Sequence, residues 1–247
     1  MRQPIVRVIS KPLLAMSVAF LLVAGAASRA NAAVLLVENF DDVSLLAGGG
    51  WAAVNNSDPI GTTGWFQGNT GVFASQAGAA DAYIAANFEN AALGGDISNW
   101  LLTPELALDN GTTINFYSRT EEGAPFPDRL ELRLSVNGAS TNVGVTDASV
   151  GDFATLLLTL NPGLLVGGYP ESWTLFSATL SGLGAPTSGR FGFRYFVTDT
   201  SINGDYIGID TLSVESAVST AVPEPVTMLT MGIGLLGIHR ARRRRNV

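Results

Sequence analysis

Short runs in which apolar and polar residues alternate recur along the middle of the chain, and each predicts a strand. In Arg129-Leu130-Glu131-Leu132-Arg133-Leu134-Ser135-Val136 the leucines and Val136 fall on one side and Arg, Glu and Ser on the other, the pattern of a half-buried strand. Comparable runs are Val34 to Phe40, Thr112 to Arg119, Phe153 to Leu160, Trp173 to Leu180, Arg190 to Thr198 and Tyr206 to Val214. Turn-forming clusters separate them, among them Gly48-Gly49-Gly50, Asn55-Asn56-Ser57-Asp58-Pro59, Asn137-Gly138 and Asn203-Gly204-Asp205. This middle region contains no internal repeat and no run with the length and period of an ordinary helix. The pattern predicts one all-β sandwich over residues 33–215, long enough to bury a core.

Two longer apolar runs break this pattern, one near each end. Leu13 to Ala24 follows Arg2, Arg7 and Lys11, and Ala30-Asn31-Ala32 supplies the small-x-small site of signal peptidase. Residues 1–32 therefore read as a signal peptide with the mature protein starting at Ala33; a retained N-terminal membrane anchor is the competing reading. At the other end, Val222-Pro223-Glu224-Pro225 precedes the apolar run Val226 to Ile238, and then come Arg240, Arg242, Arg243, Arg244 and Arg245. As a helix that run spans roughly 20 Å, short of the ~30 Å hydrocarbon core, and long arginine side chains lifting their heads to the interface make up the difference. The arginine cluster stays cytoplasmic, which leaves the preceding polypeptide outside the inner membrane. Pro223 and Pro225 stop the helix from extending backwards. A buried amphipathic helix with a solvated basic tail fits less well, because arginines directly after an apolar run form a stop-transfer pattern. Residues 216–221 are small and polar, a linker to the tail at 222–247.

Charge divides the chain in the same way. Nine of the fourteen Lys and Arg lie in the two terminal segments. From Ala33 to Ser219 five arginines and no lysine stand against twenty acidic residues, a net charge of −15, where the whole chain carries −7. Such a surface repels nucleic acid and anionic lipid, whose binding needs cations. It suits solubility outside the cell and the binding of divalent cations. With no cysteine, the exported part must hold together by packing or bound ions.

The tail resembles the PEP-CTERM sorting signal of Gram-negative bacteria: Pro223-Glu224-Pro225, a Gly- and Leu-rich segment at Gly232-Ile233-Gly234-Leu235-Leu236-Gly237, and Arg242 to Arg245 stand in the family's order. Val226 and His239 are departures that remove none of the defining parts. The resemblance implies recognition by an exosortase, removal of the tail, and delivery to the cell surface or the extracellular matrix. It makes the chain a substrate of processing.

A second resemblance covers most of the body. Glu38-Asn39-Phe40-Asp41, Asp81-Ala82-Tyr83-Ile84-Ala85, Ser98-Asn99-Trp100-Leu101-Leu102-Thr103-Pro104, Asp128 to Ser135, Phe193-Arg194-Tyr195 and Asp205 to Asp210 come in the order of the choice-of-anchor J domain, which is similar to the cleaved-adhesin and MAM-like jelly rolls. The resemblance implies a jelly-roll β-sandwich and leaves the binding partner open. It also implies a structural Ca2+ between an acid near the first strand, here Glu38 and Asp41, and an aspartate in the last, here Asp210. The competing reading makes all three solvated carboxylates at turns or strand ends.

Candidate chemistry narrows the function further. The only histidine, His239, lies in the tail, so Ser-His-Asp, Cys-His and histidine-based zinc sites are excluded from the mature domain and no catalytic residue is assigned. Glycoside hydrolysis by two carboxylates is the remaining enzymatic reading. Trp65 and Phe66, like Trp51 and Phe73, fall in Gly- and Asn-rich sequence where sugar-binding jelly rolls stack pyranose rings; packing in the core competes with that reading. Trp100 and Trp173 read as core, and Arg119 and Arg194 as partners of acids at the core edge. The sequence thus points to a non-enzymatic structural or adhesive protein of the exopolysaccharide or biofilm matrix, with a carbohydrate-binding module as the alternative.

Overall fold

A computed structural model describes residues 32–217 of the chain. Ala30 of the cleavage site, the sorting residues Pro223 to Arg245 and the expected membrane helix lie outside them. Among the described residues no helix is long and apolar enough to cross a membrane. The strands are β1 (Val34–Glu38), β2 (Ala52–Asn55), β3 (Asp58–Ile60), β4 (Phe66–Gln67), β5 (Ile84–Asn87), β6 (Ala91–Leu102), β7 (Leu106–Leu108), β8 (Thr113–Thr120), β9 (Leu130–Ser135), β10 (Thr155–Leu160), β11 (Thr174–Thr179), β12 (Thr187–Val197) and β13 (Tyr206–Glu215). The helical pieces among the described residues are 3-10 turns at Val43–Gly49 and Phe88–Asn90.

Two antiparallel sheets form. The first runs β11-β8-β13-β5-β4, with β1 also on β13; the second runs β10-β9-β12-β6-β2, with β3 also on β6 and β7 on β12. Alternation in β8 shows why they stack: Ile114 and Phe116 are buried on one side while Thr113, Asn115 and Tyr117 are only partly covered on the other. Facing them from the second sheet are Leu130, Leu132, Phe193 and Tyr195, and Phe116 meets Phe193 edge to face at 4.9 Å.

Both sheets also carry an outer layer. Over the first, the segment leading into β5 places Phe73 and Tyr83 against Tyr206, with Trp173 beside them. Gly208 is the floor of that layer, since a Cβ there would lie 2.9 Å from both Phe73 and Trp173. Over the second, Val143, Val150 and Phe153 cover Trp100 and Leu102.

The outer layers correct one expectation from the sequence. β9 is not half-buried: Glu131 and Ser135, on its polar side, are buried along with the leucines. Glu131 survives there because Arg133 (2.7 Å) and Arg194 (3.3 Å) both pair with it. Arg194 is itself buried over the Phe196 ring, 3.6 Å from its centroid, and donates from Nε to Ser98 Oγ at 3.0 Å. Arg119 differs from expectation too. Its guanidinium donates to the carbonyls of Thr120 and Glu171 and sits over the Phe73 ring, with no carboxylate paired to it among the described residues.

β13 organises the first sheet. Along one edge it pairs first with β5 (Tyr206 opposite Asn87) and then with β1 (Glu38 opposite Leu212), while β8 runs along the other edge. Its C-terminal end leads to Ser216, whose N–H donates to Ala33 O at 2.8 Å. The entry and exit of the body therefore lie side by side, at the end of β13 away from Tyr206.

Candidate functional site

At the Tyr206 end of β13 the strands β4, β5, β8 and β13 finish next to one another, and a cleft of about 410 Å³ opens there. Phe66 from β4, Phe88 from the 3-10 turn and Tyr206 supply aromatic surface; Glu89, Glu121 and Asp205 supply carboxylates. Phe66 and Tyr206 meet edge to face at 5.8 Å, and Phe88 is 45% exposed.

A relay of amides sets the polar wall. Asn99 Nδ2 donates to Asn90 Oδ1 (2.7 Å), Asn90 Nδ2 to Thr63 Oγ1 (2.7 Å), and Thr63 Oγ1 to Asn87 Oδ1 (2.7 Å). Each acceptor is thereby committed, so Asn87 must turn its Nδ2 towards Glu89, whose Oε2 it reaches at 3.3 Å. The close approach that makes this possible falls at Gly61, where a Cβ would stand 2.0 Å from Glu89 O.

Beneath the cleft, Asp128 is a fully buried hub. It accepts from Thr120 Oγ1 (2.6 Å), Tyr195 Oη (2.6 Å) and the Asp205 N–H (2.8 Å), which holds the turn that presents Asp205. Burial raises the Asp128 carboxyl above the usual range against the pull of these donors. Asp205 is pushed up to about 6, first by desolvation and then by the charges of Asp128 and Glu121. Its own carboxylate receives no hydrogen bond among the described residues.

Of the aromatic candidates, Phe66 lines this cleft while Trp65 packs against the core between the sheets, its Nε1 buried without a partner among the described residues. Phe73 belongs to the outer layer and Trp51 is buried against Phe40 at 5.7 Å. Trp100 and Trp173 pack in the outer layers. Asn87 and Glu89, from the end of β5 and the 3-10 turn that follows it, meet Glu121 and Asp205 from the ends of two other strands, and no local sequence pattern links the three segments. Glu121, just after β8, meets Asp205, just before β13, at the ends of two neighbouring strands.

Of the calcium candidates, Asp210 and Asp41 lie against the Gln76–Gly78 loop, while Glu38 caps the turn at Phe40 and does not join them. Asp210 is fully buried where β13 passes from β5 to β1; Oδ2 accepts from the N–H groups of Gln76 (2.7 Å) and Ala77 (3.2 Å), and Oδ1 from that of Thr211 (2.6 Å). Thr211, at φ 48°, carries the left-handed backbone that a β-branched residue resists. Asp41 reaches the same loop, 3.3 Å from where a Gly78 Cβ would be, and Glu38 Oε1 accepts from Phe40 N–H at 2.8 Å. Among the described residues no three His, Cys, Asp or Glu side chains form a group able to hold a metal ion. A hard cation here would complete its shell with neutral oxygens such as Gln76 Oε1 and backbone carbonyls, which are ordinary calcium ligands.

Architecture and cleft together define a jelly-roll β-sandwich with an open surface site. Similar architecture occurs in the K3 cleaved adhesin domain of Lys-gingipain from Porphyromonas gingivalis W83, at a TM-score of 0.51 and 20% identity over 76% of this chain and 100% of that domain. The K2 cleaved adhesin domain of Lys-gingipain gives 0.50 and 18% over 72% and 98%. No curated protein matches the chain. Residues 221–245 match the PEP-CTERM protein-sorting motif, which implies exosortase processing and export to the cell surface.

Proposed function

We propose that the sandwich is a non-catalytic adhesive or structural domain of the exopolysaccharide matrix, and that its cleft is where extracellular polysaccharide docks. The observation that carries this reading is the placement of the cleft. β13 begins at the cleft with Tyr206 and ends at Glu215, next to the exit towards the sorting motif, so its ten residues separate the two by ~30 Å. A domain tethered or processed at one end thus presents its aromatic and amide-lined opening at the other. Ring faces for stacking and a few fixed polar groups are what a sugar site needs. Matrix polysaccharide from the native cells should retain the exported protein in a pull-down, and Phe66→Ala should weaken retention; equal retention by inert beads would overturn the reading.

A hydrolytic reading would take Asp205, with its raised pKa, as proton donor and Glu121 as the second carboxylate. The expected outcome is that no reducing ends are released from matrix polysaccharide. Calcium belongs to the proposal as a structural ion near Asp210, supported by the burial of that carboxylate. Millimolar calcium should then raise the Tm of the exported protein, and Asp210→Asn should abolish the rise; a Tm indifferent to calcium in both proteins would remove the ion.

A further inference from the structure

The walls of the cleft are unequal in hydrogen-bonding character. Three carboxylates stand over it, and none of the residues lining it is cationic. Most of its side-chain donors are spent within the wall, Thr63 Oγ1 on Asn87, Asn87 Nδ2 on Glu89 and the Tyr206 hydroxyl in contact with that of Tyr83 at 3.1 Å, which leaves the Asn69 amide as the free donor among the described residues. A neutral sugar ring presents hydroxyls that need both donors and acceptors. An ammonium presents three donors and no acceptor, which suits a surface of this kind.

No arginine or lysine of the body lines the cleft to compensate. The body has no lysine, and each of its five arginines is engaged elsewhere. Arg133 and Arg194 pair with Glu131, Arg190 donates to Gly50 O and Thr103 O, Arg129 to Phe196 O, and Arg119 to Thr120 O and Glu171 O. Positive charge at the cleft must come from the ligand. An aromatic wall beside the carboxylates favours a ligand with a ring face to stack, rather than charge alone.

Resting on the reading of the cleft as a polysaccharide site, we propose that its preferred ligand is an amine-bearing hexose of a cationic polysaccharide, its ring against Phe66 and Phe88 and its ammonium among Glu89, Glu121 and Asp205. A volume of about 410 Å³ falls at the small end of the ~300–1,000 Å³ typical of ligand sites, which suits a short stretch of sugar.

The charge match also sets a pH window. Asp205 faces Asp128 from the segment before β9, Glu121 from the end of β8 and Glu89 from the 3-10 turn, with the phenol of Tyr206 beside it; burial, and then the charges of Asp128 and Glu121, raise its pKa to about 6. Below that it loses the charge that holds an ammonium. An amine of the α-amino type loses its own proton near ~8. Binding of an amino sugar should therefore be bell-shaped in pH, whereas a neutral sugar should bind almost independently of pH.

The test is calorimetric titration of the exported protein with a fully de-N-acetylated glucosamine tetramer, its fully N-acetylated counterpart, and tetralysine. The glucosamine tetramer is expected to bind at least about tenfold more tightly than the other two near neutral pH. Its affinity should fall below pH about 6 and above about 8, and Glu121→Gln should weaken it. Equal or tighter binding of the N-acetylated tetramer, or a flat pH profile, overturns the amine preference and leaves the polysaccharide reading standing. Tetralysine binding as tightly as the glucosamine tetramer overturns both, because charge without a sugar ring would then suffice. If the protein is folded by circular dichroism and binds none of the three, the amine preference is overturned and the matrix pull-down alone decides the polysaccharide reading.

Discussion

At the scale of single residues, Asp128 and Asp205 at the cleft are shifted in the opposite direction from Asp199. Asp199 is partly exposed and its pKa is lowered by the hydroxyl and N–H of Ser201, whereas Asp205 is half-buried beside Asp128 and raised to about 6 from an ordinary 3.8. For Asp205 the sign is fixed by linkage: its stabilising contribution is fully present below the unfolded value of 3.8 and is lost as pH rises through about 6. Asp205→Asn should therefore raise Tm at about pH 8, with the gain shrinking as the pH is lowered towards about 4; thermal unfolding across that range checks it. Asp128 is not interchangeable in this way. Three donors converge on it, so an amide there would turn a donor of its own towards one of them.

At the scale of elements, what decides tolerance is whether the outer face of a strand is covered. Phe153 is fully buried under the loop that closes the second sheet, packed at 5.7 Å on Trp100, while Leu156 lies two residues into the edge strand β10 and is 49% exposed. Phe153→Ala should cost about 3–5 kcal/mol and Leu156→Ala under about 1 kcal/mol, read by urea unfolding. The same coverage explains which strands alternation reveals. β8 shows strict alternation and its run is recognisable in the sequence, as are those of β1 and β9 to β13. β6, the longest strand among the described residues, contains Leu93-Gly94-Gly95, with Leu93 exposed and Gly94 at φ 82°; β3 pairs across that break, Ile60 opposite Ala91 and Asp58 opposite Asp96, and β2 pairs with the stretch beyond it. A strand shared between short partners has no single period to read.

At the scale of the whole molecule, the two terminal segments and the body are separate problems. Mass spectrometry of the exported protein should find its N-terminus at Ala33 and its C-terminus near Pro223 to Pro225; a chain with both ends intact in the cytosol would contradict the sorting motif's reading. By itself the sequence determined the class of the body, most of its strands, its acidity and its sorting, because periodicity, composition and linear motifs are local properties written along the chain. Only the tertiary structure decided that both faces of β9 are covered, that Trp65 and Phe66 part company, and that Asn87, Glu89, Glu121 and Asp205 share one cleft. Those outcomes depend on which distant turns meet at the end of a sheet, and pairing between segments far apart in the chain leaves no period in either of them.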